Sequence, residues 1–466
     1  METDVLIIGA GITGLSTGYY LKKQGCENFL ILEEDDKPGG KVSSLREDGF
    51  IVDEGPDSLV STKPAAYELV KDLGLENEVI YPSHKGFYIY SGKRLRKAPA
   101  GMKGFVPSDV GSFLRSRFFS FAGKMRILME PFIPAGKPND HETLADFMRR
   151  RFGDEMLEKY AGPLLSGIYA SAPEKLGLMA TFPQFKKMEE KHGSVSKAML
   201  ANRPKTNQKE VPLFYSLRNG MGALPEKLHE KLANHITTKT RIKAIEGLEE
   251  DKPIEVTTES DEKYFCNKLV LTTPAHSSYN LLNQFNTELA TTLKRIPYVS
   301  TAVMSLAFRK KDVNHPLDAN GFLIPQNENT FISSCTWTST KWEHRCPEDY
   351  VLIRCFFGRL GDEEILEYND KKLYDCARTD MESILGIKNH AVKYWIRRWH
   401  KAIPQYFPDH LDKIEKIEQH LKEYPNLFLT GAGYRGLGIP DCIAQGKKTA
   451  EQLSKMPEQS PKKKAL

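Results

Sequence analysis

An α/β fold, with a parallel sheet begun at the start of the chain, further strands later and a helical segment between them, is what this sequence predicts. Three observations predict it. Residues 4–8 (DVLII) form a short β-branched run of the kind buried on both faces in a parallel sheet. A glycine turn at 9–14, a helical stretch at 15–24 and a second apolar run at 29–32 (FLIL) complete a βαβ start. Strand-like segments return in the middle of the chain and near its end, after a long stretch of helical periodicity.

The remaining elements follow in order. From 85 to 207 helical periodicity dominates, as at 143–152 and 153–165, with turns at Pro99, Pro107, Pro131, Pro134 and Pro138. Thr143 stands where its hydroxyl can cap the first turn of a helix. Residues 208–275 return to α/β character. Gly220 and Gly222 precede a helical stretch at 224–232, and 236–248, 254–259 and 268–274 alternate as half-buried strands do. Further strands are predicted at 301–308 and 350–357, a helix at 365–385, a short strand at 427–430 and a last helix at 442–453. The tail 456–466 lacks core residues and is expected to be disordered. A discontinuous domain of 1–84, 208–275 and 425–455 is therefore expected, with a mainly helical subdomain at 85–207 and a further domain at 276–424.

Composition narrows the class. A chain of 466 residues exceeds one core, and 40% hydrophobic with 27% charged residues is ordinary for a globular protein. A net charge of +5 is too small to argue for nucleic acid. No apolar stretch approaches the roughly 18–20 residues of a membrane span, and the start lacks a basic signal region. Seven cysteines without a CxxC pair fit free thiols in a reducing cytoplasm. His344 and Cys346 are neighbours, but further ligands at zinc-like spacing are missing, so no metal is expected.

The segment Gly9, Ala10, Gly11, Ile12, Thr13 and Gly14 carries the chemistry. Gly9 permits the tight turn, Gly11 lets the backbone approach a pyrophosphate, and Gly14 lets the helix pack on the strand. The helix start offers N–H groups and partial positive charge to phosphates. Glu33 ends the second strand, about 20 residues on, where a carboxylate accepts hydrogen bonds from a ribose diol. This is a Rossmann-type dinucleotide fingerprint, common to FAD and NAD. Two further segments favour FAD. Pro38-Gly39-Gly40-Lys41 resembles the second glycine turn of amine-oxidase-like flavoproteins. Near the other end, Thr430-Gly-Ala-Gly433 and Gly436-Leu-Gly438 open a second helix start.

The segments GAGITGL, PGGKVSS, DEGPDS, GPLLSGIYASAPEKLGLMATFPQF, CTWTSTKW, RRWHKAIPQY and GLGIPDCIAQGK together resemble the protoporphyrinogen oxidase family. Within it the likeness is strongest to the soluble, Gram-positive-type coproporphyrinogen III oxidases. The resemblance spans nearly the whole chain. It implies a Rossmann-type FAD-binding domain of the amine-oxidase-like flavoprotein kind, a mixed-sheet substrate domain and a helical subdomain, with non-covalent FAD. Gly9 to Gly14, Glu33 and Glu34 would hold the ADP half. Gly40, Lys41 and the turn Gly55, Pro56, Asp57 and Ser58 would lie along the cofactor. Ile242 would present backbone to the adenine, and Trp399 with Leu437, Gly438 and Ile439 would line the flavin end. Trp399 read by itself could equally be core.

The implied reaction aromatises a porphyrinogen in haem biosynthesis, removing six electrons and passing them through flavin to molecular oxygen, with hydrogen peroxide as product. Coproporphyrinogen III is the expected substrate and protoporphyrinogen IX the alternative; an amine oxidase or a non-catalytic tetrapyrrole-binding flavoprotein would be rivals on this fold. Tyr169, Phe182 and Phe185 are candidate walls for a flat macrocycle, or core aromatics. His400 is either a structural hydrogen-bonder or an acid–base group, and no general base is assigned. The locally basic stretch Lys93, Arg94, Arg96, Lys97, Lys103, Arg115, Arg117, Lys124 and Arg126 reads as a lipid or partner-enzyme face, a carboxylate trap or a solvated surface. A ferrochelatase contact and a peripheral membrane contact are the partner expectations.

Overall fold

In the computed structural model the described residues are 1–137, 139–201, 211–248 and 253–456. The Pro138 turn and nearly all of the tail expected to be disordered lie outside them.

Two seven-stranded sheets organise the chain. In the first, the leading strand Glu2–Ile8 is central: it pairs in parallel with Phe29–Leu32 on one side and with Lys263–Leu271 on the other. Ile236–Thr237 extends it in parallel beyond Phe29–Leu32. Leu427–Leu429 pairs in parallel with the last residues of Lys263–Leu271. Ile254–Thr258 and Ile242–Glu246 complete it antiparallel. Leu6, Ile7, Ile31, Leu269, Val270 and Leu271 are fully buried, which explains why these strands read as continuous apolar runs rather than alternating ones.

The second sheet is mixed. Lys393–Pro404, Tyr298–Arg309, Tyr350–Phe357, Ser334–Thr336 and Gly321–Leu323 are antiparallel neighbours. Gly321–Leu323 then pairs in parallel with Tyr88–Ser91, whose hairpin partner is Arg94–Lys97. Residues 88–97 thus leave the helical segment in which they were expected: Tyr90 and Phe322 bury their rings in one apolar cluster, and that burial draws the hairpin onto the sheet edge.

Several element bounds differ from the sequence reading. The first helix begins at Ile12 rather than 15, and the last at Ile439 rather than 442, because each starts directly on its glycine turn. The segment 236–248 is broken. Lys239 takes φ 55, held by Lys239 N–H on Asp35 O at 2.9 Å and Thr240 N–H on Glu33 O at 2.7 Å. The expected helix 365–385 splits into the turn Glu364–Glu367 and the helix Asp370–Leu385, which Asn369 caps through Lys372 N–H at 2.9 Å. The stretch 153–165 contains a wide turn at Leu157–Ala161 before the helix Gly162–Tyr169. Thr143 caps Leu144–Phe152 as expected, accepting from Asp146 N–H at 3.0 Å. None of the seven cysteines forms a disulfide among the described residues. No helix among the described residues is long and apolar enough to cross a membrane.

The helix Asp370–Leu385 buries Asp380, whose carboxylate accepts from Phe331 and Ile332 N–H at 2.8 and 2.9 Å. Burial outweighs these donors and pushes its pKa up from 3.8 to about 6. Between those values the folded state holds a proton that the unfolded chain has released. Stability therefore falls as pH rises through this window, by an amount on the order of 3 kcal/mol, and is flat above it. Asp380→Asn should remove this component. Urea midpoints at pH 4.5 and 7 should show wild type losing more stability than the variant, and equal losses would refute the assignment.

Candidate active site

Two glycine-capped helix starts converge on one crevice. The first is Ile12–Lys23, whose N-cap Gly11 offers no side chain, so no cap occupies its first turn. A Cβ on Gly11 would meet nothing within 4 Å. Gly9 turns with φ +99 and donates to Leu32 O at 2.8 Å, and a Cβ on Gly14 would lie 1.9 Å from Gly9 O. The helix can rest on the turn only because that atom is missing. The second start is Ile439–Leu453, capped by Gly438 and likewise without a side-chain cap. The two helices touch where Gly446 meets Thr13 O and Ser16. Ala10, Ile12 and Ile439 share one apolar cluster.

The turn at Gly40 and Lys41 closes on the first loop. Gly39 N–H donates to Ala10 O at 2.9 Å, and a Cβ on Gly40 would lie 3.4 Å from Gly11 Cα. Lys41 Nζ donates to Ala402 O at 2.7 Å and makes no ion pair among the described residues; burial pushes its ammonium pKa down. The next turn stacks on it, since a Cβ on Gly55 would lie 1.8 Å from Lys41 O. Trp399 Nε1 donates to Glu54 O at 2.7 Å, which sets the indole beside this turn. Asp57 faces away toward the second sheet. It accepts from Lys341 Nζ at 3.0 Å and Trp342 Nε1 at 3.1 Å, and despite burial Lys341 and Arg354 hold its carboxyl well below the usual range. Asp57 therefore fastens the turn of Gly55, Pro56 and Ser58 to its neighbour sheet.

Glu33 is buried and accepts from Ala10 N–H at 2.6 Å and Asp35 N–H at 3.0 Å. Burial pushes its pKa up against those two donors. Glu34 is exposed and pairs with Arg241 at 2.9 Å, which brings the residue before Ile242 to the end of the second strand. These groups fit a dinucleotide chemically: uncapped N–H groups and a cation without an acid suit a diphosphate, and a carboxylate at the end of the second strand suits a ribose diol.

At the other end of the crevice stand aromatic rings. Tyr169 and Phe182 are edge to face at 6.0 Å, and Phe182 stacks on Phe185 at 5.6 Å. Leu437, beside the second helix start, packs against the same cluster. His400 does not join them: it is exposed, on the face of its strand opposite Trp399, in a shallow recess with Arg398 and Asp370. The basic stretch is also dispersed. Lys97 pairs with Asp318, and Arg126 turns back onto the carbonyls of Arg150 and Arg151.

Sequence reasoning missed two tyrosine staples. Tyr406 donates its hydroxyl to Ala432 O at 2.7 Å and accepts from Gly436 N–H at 2.8 Å, so it holds both turns before the last helix. Tyr298 accepts from Ala275 N–H at 2.9 Å. Tyr406 lies in the RRWHKAIPQY segment, but no local pattern marks a tyrosine whose partners are distant in sequence.

A parallel sheet whose glycine turns face a second mixed sheet across a crevice is the amine-oxidase-like flavoprotein fold, and it defines a flavin-dependent oxidoreductase. The chain belongs to the flavin containing amine oxidoreductase family, whose model matches residues 12–454, and within it to the group of coproporphyrinogen III and protoporphyrinogen oxidases. It is 33% identical to the coproporphyrinogen III oxidase of Bacillus subtilis (strain 168) over 464 residues, 96% of this chain and 97% of that one. It is 33% identical to the coproporphyrinogen III oxidase of Staphylococcus aureus (strain NCTC 8325 / PS 47) over 465 residues, 97% and 99% of the two chains. A solved structure from Exiguobacterium sp. 255-15, provisionally named a protoporphyrinogen oxidase, superposes with a TM-score of 0.85 at 30% identity, over 97% of this chain and 98% of that one.

Proposed function

We propose that this protein oxidises coproporphyrinogen III to coproporphyrin III in haem biosynthesis, with non-covalent FAD as cofactor and oxygen as acceptor, forming hydrogen peroxide. The observation that carries this reading is the near full-length likeness to two coproporphyrinogen III oxidases, at 33% identity each. The aromatic row of Tyr169, Phe182 and Phe185 beside the glycine-lined crevice supports it, because a flat apolar macrocycle needs such a wall.

FAD, when bound, supplies a two-electron acceptor. The chain binds and orients. Gly9 to Gly14 turn backbone N–H groups to the diphosphate, Glu33 and Glu34 serve the ribose end, and Ile242 offers backbone to the adenine. Gly40, Lys41, Gly55, Pro56, Asp57 and Ser58 lie along the cofactor, while Trp399, Leu437, Gly438 and Ile439 line its ring end. No side chain is assigned as general base. The same reading carries a cytoplasmic location, contact with a ferrochelatase and a peripheral membrane contact.

Purified holoprotein should be yellow, consume oxygen with coproporphyrinogen III and yield a red-fluorescent porphyrin. Its kcat/KM should favour coproporphyrinogen III over protoporphyrinogen IX by about tenfold or more, since discrimination is a ratio of these constants. A reversed ratio would assign protoporphyrinogen IX instead. Turnover of amines alone, or tight porphyrin binding without turnover, would overturn the proposal.

A further inference from the structure

Six lysine or arginine side chains are buried among the described residues: Arg151, Lys186, Lys268, Arg345, Arg354 and Arg359. Five reach an acid. Arg151 pairs with Glu130, Lys186 with Glu189, Lys268 with Asp4, Arg345 with Asp53, and Arg354 with Asp57 at 3.9 Å. Arg359, 7% exposed, makes no ion pair among the described residues. Its Nη2 donates to Ile324 O at 3.0 Å and Ser333 O at 2.9 Å. Its other guanidinium nitrogens have no protein acceptor there. Asp362 acts on it only at a distance, and burial opposes its charge. A guanidinium does not shed its proton in a protein. The Nε and Nη1 donors are not sealed off inside the protein, so they are open to an anion that the protein does not itself supply.

Its position indicates which anion. The adjoining Leu360 N–H donates to Ala170 O at 2.8 Å, directly after Tyr169. Ile324, whose carbonyl Arg359 holds, follows Leu323, which lies 3.1 Å from where a Cβ on Gly167 would be. Leu323 packs in the apolar cluster of Tyr169, Phe182 and Phe185. A cation without a counter-ion therefore borders the aromatic wall, at the seam between the helix Gly162–Tyr169 and the second sheet.

We propose that Arg359 receives a carboxylate of the substrate, so that the aromatic wall takes the apolar body of the ligand and the remaining guanidinium donors take one acidic arm. This rests on the reading of the wall as the substrate site. Both Nη2 hydrogens are held by the Ile324 and Ser333 carbonyls, so Nε and Nη1 are the donors left for the carboxylate, each through a charge-assisted hydrogen bond.

The test measures binding of coproporphyrin III and of its tetramethyl ester to holoprotein by fluorescence quenching, for wild type, Arg359→Gln and Arg359→Lys. Arg359→Gln should weaken the acid roughly 10–100-fold, as expected for a lost charged hydrogen bond, and leave the ester unchanged. Arg359→Lys should fall between. If Arg359 only fastens the Ile324 and Ser333 carbonyls, acid and ester weaken together in Arg359→Gln, and the proposal is overturned. Acid binding undiminished in that variant overturns it equally. If wild type binds neither ligand, the substrate reading of the wall fails first and the proposal falls with it.

Discussion

Gly14→Ala should purify as a colourless protein. In an ordinary helix this change would stabilise the fold by about 1 kcal/mol, because alanine is the better helix former. Here the added Cβ would lie 1.9 Å from Gly9 O and 3.0 Å from Thr272 Oγ1. The first of these is backbone in a turn that already runs at φ +99, so it cannot swing aside as a side chain would. The helix must lift off the strand, and with it the N–H groups that the diphosphate needs. The expected loss in flavin affinity is about 100-fold or more, equivalent to about 3 kcal/mol. The ratio of visible to ultraviolet absorbance, followed by titration with added FAD, measures it. A variant that keeps wild-type flavin affinity would remove the basis for placing the cofactor here.

Arg151→Met should cost stability without touching the crevice. Arg151 and Glu130 are both fully buried and paired. Arg151 Nη1 also donates to Ile133 O at 2.8 Å, and Glu130 accepts from Ser194 Oγ at 2.6 Å and from Ser196 N–H at 3.0 Å. These bonds tie the helix Leu144–Phe152 to the start of Val195–Ala201. Removing the guanidinium strands a carboxylate in the interior, a loss of about 3–5 kcal/mol. The double variant Arg151→Met with Glu130→Gln should recover part of it, since the stranded charge is gone. Urea unfolding of wild type, Arg151→Met, Glu130→Gln and the double variant reads the coupling. A single variant within about 1 kcal/mol of wild type would show that the pair is solvated in solution.

Much of the crevice was legible because its signals are local. Gly9, Gly11 and Gly14 stand at fixed spacing between an apolar strand and a helix, and that spacing alone implies a turn against phosphate. Gly40 and Lys41 were singled out only through the resemblance to a flavoprotein glycine turn, since a PGG tripeptide by itself is an ordinary surface turn. Asp57 was legible as a position but not as a role: its carboxylate meets Lys341 and Trp342, nearly 300 residues away. The hairpin of Tyr88–Ser91 with Arg94–Lys97 was misread as helical ground, since four-residue strands carry too little periodicity to outweigh a helical neighbourhood. The broken segment 236–248 was misread because its break rests on a non-glycine residue, Lys239, at φ 55. Backbone bonds to Asp35 and Glu33 impose that conformation, and sequence gives no warning of it.

The sequence by itself determined what depends on neighbours along the chain: the β-branched strands, the glycine turns, the Thr143 cap, and the period that separates helix from sheet. Backbone sterics and side-chain propensity act over a few residues, so those features are written locally. Only the tertiary structure decided which glycine turns share a crevice, that His400 is turned away from Trp399, that Tyr406 staples two turns together, and that the buried Arg359 guanidinium meets carbonyls rather than an acid. Those outcomes depend on burial and on charge pairing between distant segments, and neither exists until the two sheets and the helices have packed.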